Sequence, residues 1–222
     1  MKDRQPKHRQ AARERARLDR WAASRAGLPT ALIVCEGRCT EPYYLGGLLE
    51  HLGVNAANAH IQTGSYKTDA LSLVRDARAR FRSTPEYDHV FVVLDGDQAH
   101  LNEARREAGK GMAKAGGGRV TVELIVTSPC FEYWLLLHFE YTTRGLRSVE
   151  AVRALEAHLT DYEKGDREIF AKVSGGLAMA EANAARGIRD IAATGAGGLP
   201  VRLEAILSTF QQDPEGQPFA GP

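Results

Sequence analysis

Two aspartates with one glycine between them follow a continuous apolar run in the middle of the chain. Residues 90–94 read Val-Phe-Val-Val-Leu, and Asp95, Gly96 and Asp97 come directly after them. A short apolar run that ends at turn residues predicts a strand buried on both faces, and side chains at positions i and i+2 of an extended segment point the same way. Two carboxylates held that close repel each other unless a cation or a proton lies between them. The pair therefore indicates a divalent-metal site, with an acidic surface turn as the alternative.

Glu36 is a third acidic residue placed directly after an apolar run, here residues 31–35. If the two strands are neighbours in a parallel sheet, their ends lie about 5 Å apart at the same edge. Ligands of open α/β sheets bind in the crevice outside that edge. Glu36, Asp95 and Asp97 can then share one site, and hard oxygen ligands of this kind suit Mg²⁺.

Glu132 lies inside an apolar stretch, residues 127–139, that predicts a buried helix with Ser128 as N-cap and Pro129 at its first position. A carboxylate in such a helix is costly unless it is paired or bound to metal. Glu132 is therefore a metal ligand or a base beside the metal, or one half of an ion pair with an arginine. We favour the site, because the helix follows a strand whose end faces the same crevice. His138, on the other side of this helix, is expected to be a hydrogen-bonded core histidine.

The elements that position these residues alternate between strand and helix from residue 31 to residue 140. The pattern predicts strands at 31–35, 59–63, 90–94 and 120–126, and helices near 41–52, 68–81, 99–110 and 128–139. Thr40 and Thr68 are the expected N-caps of the first two helices, and residues 116–118, all glycine, are expected to form a loop. The alternation indicates a doubly wound α/β fold with a mainly parallel sheet of four strands flanked by helices.

Three parts of the chain can be distinguished by composition and pattern. Residues 1–27 form a basic arm, since residues 1–25 hold nine Lys and Arg but three Asp and Glu, in a chain of net charge +1. Residues 28–142 form the α/β core. Residues 143–222 predict a helical extension packed on that core, with helices at 148–160, 174–194 and 200–212. The arm suggests a polyanionic partner such as nucleic acid, with a solvated tail as the alternative.

Composition also bounds the compartment. No apolar run approaches the roughly 18 residues of a membrane span, and the N-terminus lacks the apolar segment of a secretory signal. Three cysteines, Cys35, Cys39 and Cys130, show no CxxC spacing, so we expect buried free thiols rather than a disulfide framework or a zinc site. These features favour a cytoplasmic protein without a membrane partner.

The motifs carry a family resemblance. Val34-Cys35-Glu36-Gly37 followed by Leu94-Asp95-Gly96-Asp97 resembles the Toprim catalytic core of topoisomerases, primases and OLD-type nucleases, in which a Glu and an Asp-x-Asp hold Mg²⁺. Residues 35–44 and 128–139 are similar to two signature stretches of RloB-like proteins, and the basic arm and Tyr162-Glu163-Lys164 are similar too. Gly96 stands where many relatives carry a charged residue, and Leu199-Pro200-Val201 where they often carry Asn-Pro-Ser/Thr.

The resemblance implies a Toprim-like fold and a nuclease that depends on Mg²⁺ or Mn²⁺. RloB-like proteins are associated with bacterial restriction and anti-phage gene clusters, commonly beside an ATPase. The implied role is therefore cleavage of DNA or RNA in phage defence or abortive infection, with an ATPase partner. Glu36, Asp95 and Asp97 would hold the metal, Glu132 would hold a second metal or orient water, and Lys164 would neutralise the scissile phosphate.

Two other functions remain open from the sequence. A non-catalytic Toprim-like module could act as a regulatory or nucleic-acid-binding subunit of a defence complex. A phosphatase with an Asp-x-Asp nucleophile is less favoured, because that motif is expected after the first strand and here it follows the third. Lys164 has its own alternative, an exposed surface lysine.

Overall fold

The computed structural model describes residues 28–64, 69–142, 144–194 and 203–211 of the 222-residue chain. The strands of this part are β1 (Ala31–Cys35), β2 (Ala59–Thr63), β3 (His89–Asp95), β4 (Met112–Ala113), β5 (Arg119–Val120) and β6 (Val122–Thr127). Its α-helices are α1 (Thr40–His51), α2 (Ala70–Ser83), α3 (Leu101–Ala108), α4 (Phe131–Leu136), α5 (Ser148–His158), α6 (Ile169–Val173), α7 (Leu177–Thr194) and α8 (Glu204–Gln211).

Four of the strands form one parallel sheet in the order β2-β1-β3-β6. This confirms the predicted α/β class and the mainly parallel sheet of four strands. The two central strands, β1 and β3, are the continuous apolar runs, because a strand covered on both faces leaves few positions for polar side chains. The edge strand β2 is more polar, with His60 exposed and Gln62 half-buried.

Helices cover both faces of the sheet. On one face α2 and α3 contribute Phe81 and Ala104 to the cluster of buried side chains that includes Val92 of β3. The cluster on the other face includes side chains of β1 and β3 and of the helices α1 and α4 to α8. Among them are Phe91, Trp134, Leu155, Ile169 and Ile206. The described part of the C-terminal extension is thus joined to the sheet through one apolar core.

Several element boundaries differ from the sequence predictions. The predicted strand 120–126 breaks at Thr121, and residues 116–118 connect β4 and β5, an antiparallel hairpin that the pattern did not reveal. Two strands of two residues each are too short to show the alternation by which strands are recognised. The hairpin lies away from the carboxyl edge of the main sheet, so it does not alter the candidate site.

The helix that carries Glu132 also begins later than predicted. Its N-cap is Cys130, and α4 ends at Leu136, so the assignment of Ser128 as N-cap was wrong. The Ser128-Pro129 peptide is cis. Ser128 packs against Gly96, where an added Cβ atom would lie 2.9 Å from the Ser128 Cβ. Ser128 therefore belongs to the connection at the sheet edge rather than to the helix.

Two other helix predictions need correction. The first residue of α1 is Thr40 and its N-cap is Cys39. The helix predicted at 174–194 is preceded by α6 and a 3-10 turn, Ser174–Gly176. A Cβ atom on Gly176 would lie 2.3 Å from the His138 carbonyl oxygen, so only glycine allows the two backbone segments to approach this closely.

Some predictions fall on residues that the structure does not describe. The basic arm, residues 1–27, lies outside the described residues, as do Thr68 and the predicted start of the last helix at Pro200. The observed N-cap of α2 is Asp69, whose carboxylate accepts a hydrogen bond from the Ser72 amide at 3.1 Å. In the described segments, no helix combines the length and the apolar character needed to cross a membrane.

Candidate active site

The carboxyl edge of the sheet brings Glu36 and Asp95 together. Strands β1 and β3 are parallel neighbours with Cys35 opposite Val93, which meets the condition set in the sequence analysis. Glu36, directly after β1, therefore lies close to Asp95, the last residue of β3. The Glu36 carboxylate accepts a hydrogen bond from the Asp95 amide (3.0 Å) and another from the Gln98 side-chain amide (2.6 Å). Burial and the charges of Asp95 and Asp97 raise the pKa of Glu36, although the bond from the Asp95 amide opposes this.

Asp95 is held from its other side by β6. The Thr127 hydroxyl donates a hydrogen bond of 2.8 Å to the Asp95 carboxylate. Burial raises the pKa of Asp95 to about 6, and the charges of Glu132 and Asp97 act in the same direction. Asp97, two residues further, is exposed. Asp95 is therefore a positioned, partly desolvated carboxylate, and Asp97 is the more accessible of the two.

A fourth carboxylate at this edge, Glu41, was not among the site residues predicted from the sequence. It is buried in the first turn of α1, with its carboxylate folded over Gly37, where an added Cβ atom would lie 1.9 Å from a Glu41 oxygen. Burial raises the pKa of Glu41 to about 7, reinforced by the charges of Asp95, Glu132 and Glu36. The available signal was its position in the first turn of a helix that begins at the carboxyl edge, where binding residues concentrate.

Glu132 is the most buried of the predicted site residues, with 3% of its side chain exposed. Its carboxylate accepts a hydrogen bond of 3.0 Å from the Tyr162 hydroxyl and lies 3.4 Å from the Lys164 ammonium nitrogen. Burial would raise the pKa of Glu132, but hydrogen bonds from the Cys130 thiol and the backbone, the Lys164 charge and the Tyr162 bond together lower it below its ordinary value. Glu132 therefore stays ionised, and its ion-pair partner is a lysine rather than an arginine.

Lys164 reaches the site from the connection between α5 and α6. Its side chain is 79% exposed, yet its ammonium group points to Glu132, whose charge is the main reason that the pKa of Lys164 is raised. Lys172 of α6 holds this connection by pairing with Asp161 at 2.5 Å and Asp166 at 2.8 Å. The predicted Tyr-x-Lys motif thus lies at the site, and Lys164 is both an exposed lysine and part of the charged cluster.

An open cleft of about 480 Å³ lies at this edge. Asp95, Asp97, Glu132 and Lys164 line it, together with Cys130 and side chains of α5. Glu36 and Glu41 lie beside this cleft without belonging to its lining, and they act on it through their charges. The lining of the cleft is therefore rich in carboxylates, and it also contains two cations, Lys164 of the Tyr-x-Lys motif and Arg153 of α5.

The donor chemistry of this edge fits a hard divalent cation. Five carboxylates lie at this edge. Burial, and after it the charges of the neighbouring acids, raises the pKa values of Asp95 and Glu41, and a cation bound among these groups would favour their ionised forms. In the described segments, no three His, Cys, Asp or Glu side chains stand together at ligand spacing. Glu36, which is turned toward Gln98, would have to rotate to become a ligand.

The remaining sequence predictions near the site have separate outcomes. His138 is a hydrogen-bonded core histidine, as predicted, bonded to the Tyr44 hydroxyl at 3.0 Å and to the Trp134 carbonyl at 3.1 Å. All three cysteines are free, but Cys39 is exposed, which corrects the expectation that all were buried. Cys39 follows the β1 strand end by four residues, in a connection that the core does not cover.

Comparison with known proteins places the chain in a family. No curated protein and no solved structure matches the chain. A family model described as RloB-like protein matches residues 31–195, which include the whole sheet, the acidic edge and the Tyr-x-Lys motif. The chain therefore belongs to the RloB-like family.

Proposed function

We propose that this RloB-like protein is a nuclease that hydrolyses phosphodiester bonds in nucleic acid with Mg²⁺ or Mn²⁺. The observation that supports it best is the convergence of Glu36, Asp95 and Glu132, far apart in sequence, on one acidic edge. An excess of buried negative charge destabilises a fold unless a ligand compensates it. A cation bound at the carboxyl edge of the parallel sheet would supply that compensation.

Each residue has a distinct role in this proposal. Asp95, oriented by Thr127, and the exposed Asp97 would bind the metal, with Glu36 joining them after turning away from Gln98. When bound, the metal would activate water and stabilise charge on the phosphoryl oxygens. Glu132, kept ionised by Tyr162 and Lys164, would hold a second metal or orient water. Lys164, which lines the cleft, would neutralise a phosphate that enters it.

The wider role follows from the family resemblance. We propose that the nuclease acts in a bacterial anti-phage or abortive-infection system together with an ATPase partner. The basic arm, residues 1–27, would add a salt-sensitive and sequence-independent contact to the nucleic-acid backbone. DNA and RNA carry the same phosphodiester chemistry, so both are candidate targets.

The test is cleavage by the purified full chain. Plasmid DNA, single-stranded DNA and transfer RNA are incubated with the protein and Mg²⁺ or Mn²⁺, with and without the proposed ATPase partner. The double variant Asp95→Asn with Asp97→Asn should lose at least about a thousandfold in rate, because both metal-facing charges are gone. A matched control, Glu103→Gln with Glu163→Gln, changes two acids outside the cleft and should cut normally. Undiminished cleavage by the Asp95 and Asp97 variant would refute the proposal.

One observation favours a second candidate, a non-catalytic regulatory or nucleic-acid-binding subunit. The Glu36 carboxylate is satisfied by Gln98 and the Asp95 amide, and no three ligand-type side chains in the described residues stand at ligand spacing. A degenerate site of this kind would keep its hydrogen bonds and bind nucleic acid without cutting it. Nucleic-acid binding by the full chain, with no cleavage under any metal and partner condition, would favour this candidate.

A further inference from the structure

One wall of the cleft is a helix that carries none of the predicted catalytic residues. The lining of the cleft includes Val149, Val152, Arg153 and Glu156, which lie at helical spacing on one face of α5. The opposite face of the helix carries Ala151 and Leu155, both fully buried. Burial of this face in the core therefore fixes the rotation of α5 about its axis. In that rotation the four side chains of the lining face the cleft.

Arg153 differs from the other basic residues near this helix because it forms no ion pair in the part of the chain that the structure describes. Its side chain is exposed. Glu150 pairs with Arg147 at 3.2 Å. Its hydrogen bonds to Arg147 lower its pKa, and the charge of Arg153 acts in the same direction. Lys164, the other cation of the cleft, is occupied by Glu132. Arg153 is thus a second cation of the cleft beside Lys164, and of the two it is the one without an ion-pair partner among the described residues.

The same face of α5 also exposes apolar surface. Val149 is 61% exposed, whereas most large apolar side chains of the described residues are buried or half-buried, and Val152 lies beside it in the cleft lining. An exposed valine next to an unpaired arginine matches a ligand that carries an apolar face and a phosphate at close spacing. A nucleotide has these features, and its base face is accessible only when the strand is unpaired.

We propose that α5 is the substrate-binding wall of the cleft and selects single-stranded nucleic acid. Arg153 binds a backbone phosphate next to the one at the carboxylates, and Val149 with Val152 contacts an unstacked base or sugar. Glu156 lies one turn beyond Arg153 and repels a phosphate placed further along the wall. The cleft volume of about 480 Å³ has the scale of a site for a single small ligand, here one nucleotide. This inference rests on the proposed nuclease function and deepens it.

The test measures binding rather than cleavage. Fluorescein-labelled oligothymidylate, oligouridylate and a duplex of equal length are titrated with the full chain in Ca²⁺, and anisotropy gives Kd at several salt concentrations. The unpaired strands should bind on the order of tenfold more tightly than the duplex. Arg153→Ala should weaken single-strand binding on the order of tenfold and reduce the salt slope by about 0.7, the loss of one phosphate contact. Val149→Ser should weaken single-strand binding and leave duplex binding unchanged.

The control variant is Arg105→Ala, which removes an exposed arginine of α3 on the other face of the sheet. It should bind like the wild type. Equal losses of single-strand affinity in Arg105→Ala and Arg153→Ala would overturn the proposal, because they would indicate nonspecific attraction. Equal affinity of the wild type for single strand and duplex would also overturn it. Binding does not require cleavage, so an inactive wild type refutes only the nuclease function. An active wild type with unaltered binding by Arg153→Ala refutes only the role of α5.

Discussion

The Glu36 carboxylate accepts a hydrogen bond of 3.0 Å from the backbone amide of Asp95, across 59 residues of chain. The bond joins the ends of two neighbouring parallel strands, so each acid is positioned by the sheet itself rather than by a mobile loop. Burial and the charges of Asp95 and Asp97 raise the pKa of Glu36, and this hydrogen bond offsets part of that rise. The acidic edge is therefore held in place by the hydrogen bonds of the sheet.

Divalent cations should stabilise the folded protein. A ligand that binds only the folded state at about 100 times its Kd adds about 2.7 kcal/mol, which is on the order of 5 to 10 °C in Tm for a chain of this size. Mg²⁺ or Mn²⁺ should therefore raise the Tm of the wild type in a thermal melt, while Asp95→Asn with Asp97→Asn should show no shift. A shift of equal size in both proteins would place the cation elsewhere.

Glu41→Gln should stabilise the metal-free protein at alkaline pH. The pKa of Glu41 is raised from 4.5 to about 7 in the folded state, chiefly by burial, so ionisation costs stability as pH rises between these values. The sign follows because the folded state holds this proton more tightly than the unfolded state does. The variant should be more stable by about 3 kcal/mol near pH 8, and the difference should disappear near pH 4.

Urea denaturation of both proteins in a chelator, over a series of pH values, checks this prediction. Glu50→Gln, at an exposed position of the same helix, is the matched control and should change the free energy of unfolding little. A constant difference between Glu41→Gln and the wild type over the whole range would show that the effect is one of packing and not of charge.

Lys164→Ala should reduce cleavage on the order of a hundredfold, the typical loss when one preorganised charge is removed from a reacting centre. Lys164 has a side chain that is 79% exposed, so the variant should fold normally. Single-turnover cleavage rates measure the effect, and circular dichroism checks the fold. Glu163→Ala, the exposed neighbour, should cut at the wild-type rate. Wild-type cleavage by Lys164→Ala would remove this residue from the mechanism.

Tyr44→Phe should lower the free energy of unfolding by about 1 to 3 kcal/mol, because it leaves a buried His138 nitrogen without its hydroxyl partner. Denaturant titration measures the loss. The matched control is Tyr43→Phe, since the Tyr43 hydroxyl has no hydrogen bond in the segments that the structure describes, and it should change stability little. An equal loss in the two variants would mean that the bond to His138 contributes nothing.

The positions of the two central strands could be predicted well, because β1 and β3 contain continuous apolar runs that end at turn residues, whereas β2 is more polar and gave a weaker signal. The helix that carries Glu132 was placed too early, because Ser128 and Pro129 have the composition of a helix start but lie in the connection packed on Gly96. Helix-start signals are local, whereas the packing of Ser128 against Gly96 joins residues 32 positions apart. That kind of contact leaves no mark in a local pattern.

The amino-acid sequence alone determined the α/β class and the placement of Glu36, Asp95 and Asp97 at strand ends, because both depend on apolar runs and their periodicity. It also determined the family, because the family motifs are short runs of residues. Only the tertiary structure decided that Glu41 joins the acidic edge, that Glu132 pairs with Lys164, and that α5 forms the facing wall. Burial, mutual charge and the rotation of a helix are properties of the packed chain. They arise only when distant segments exclude water from the space between them.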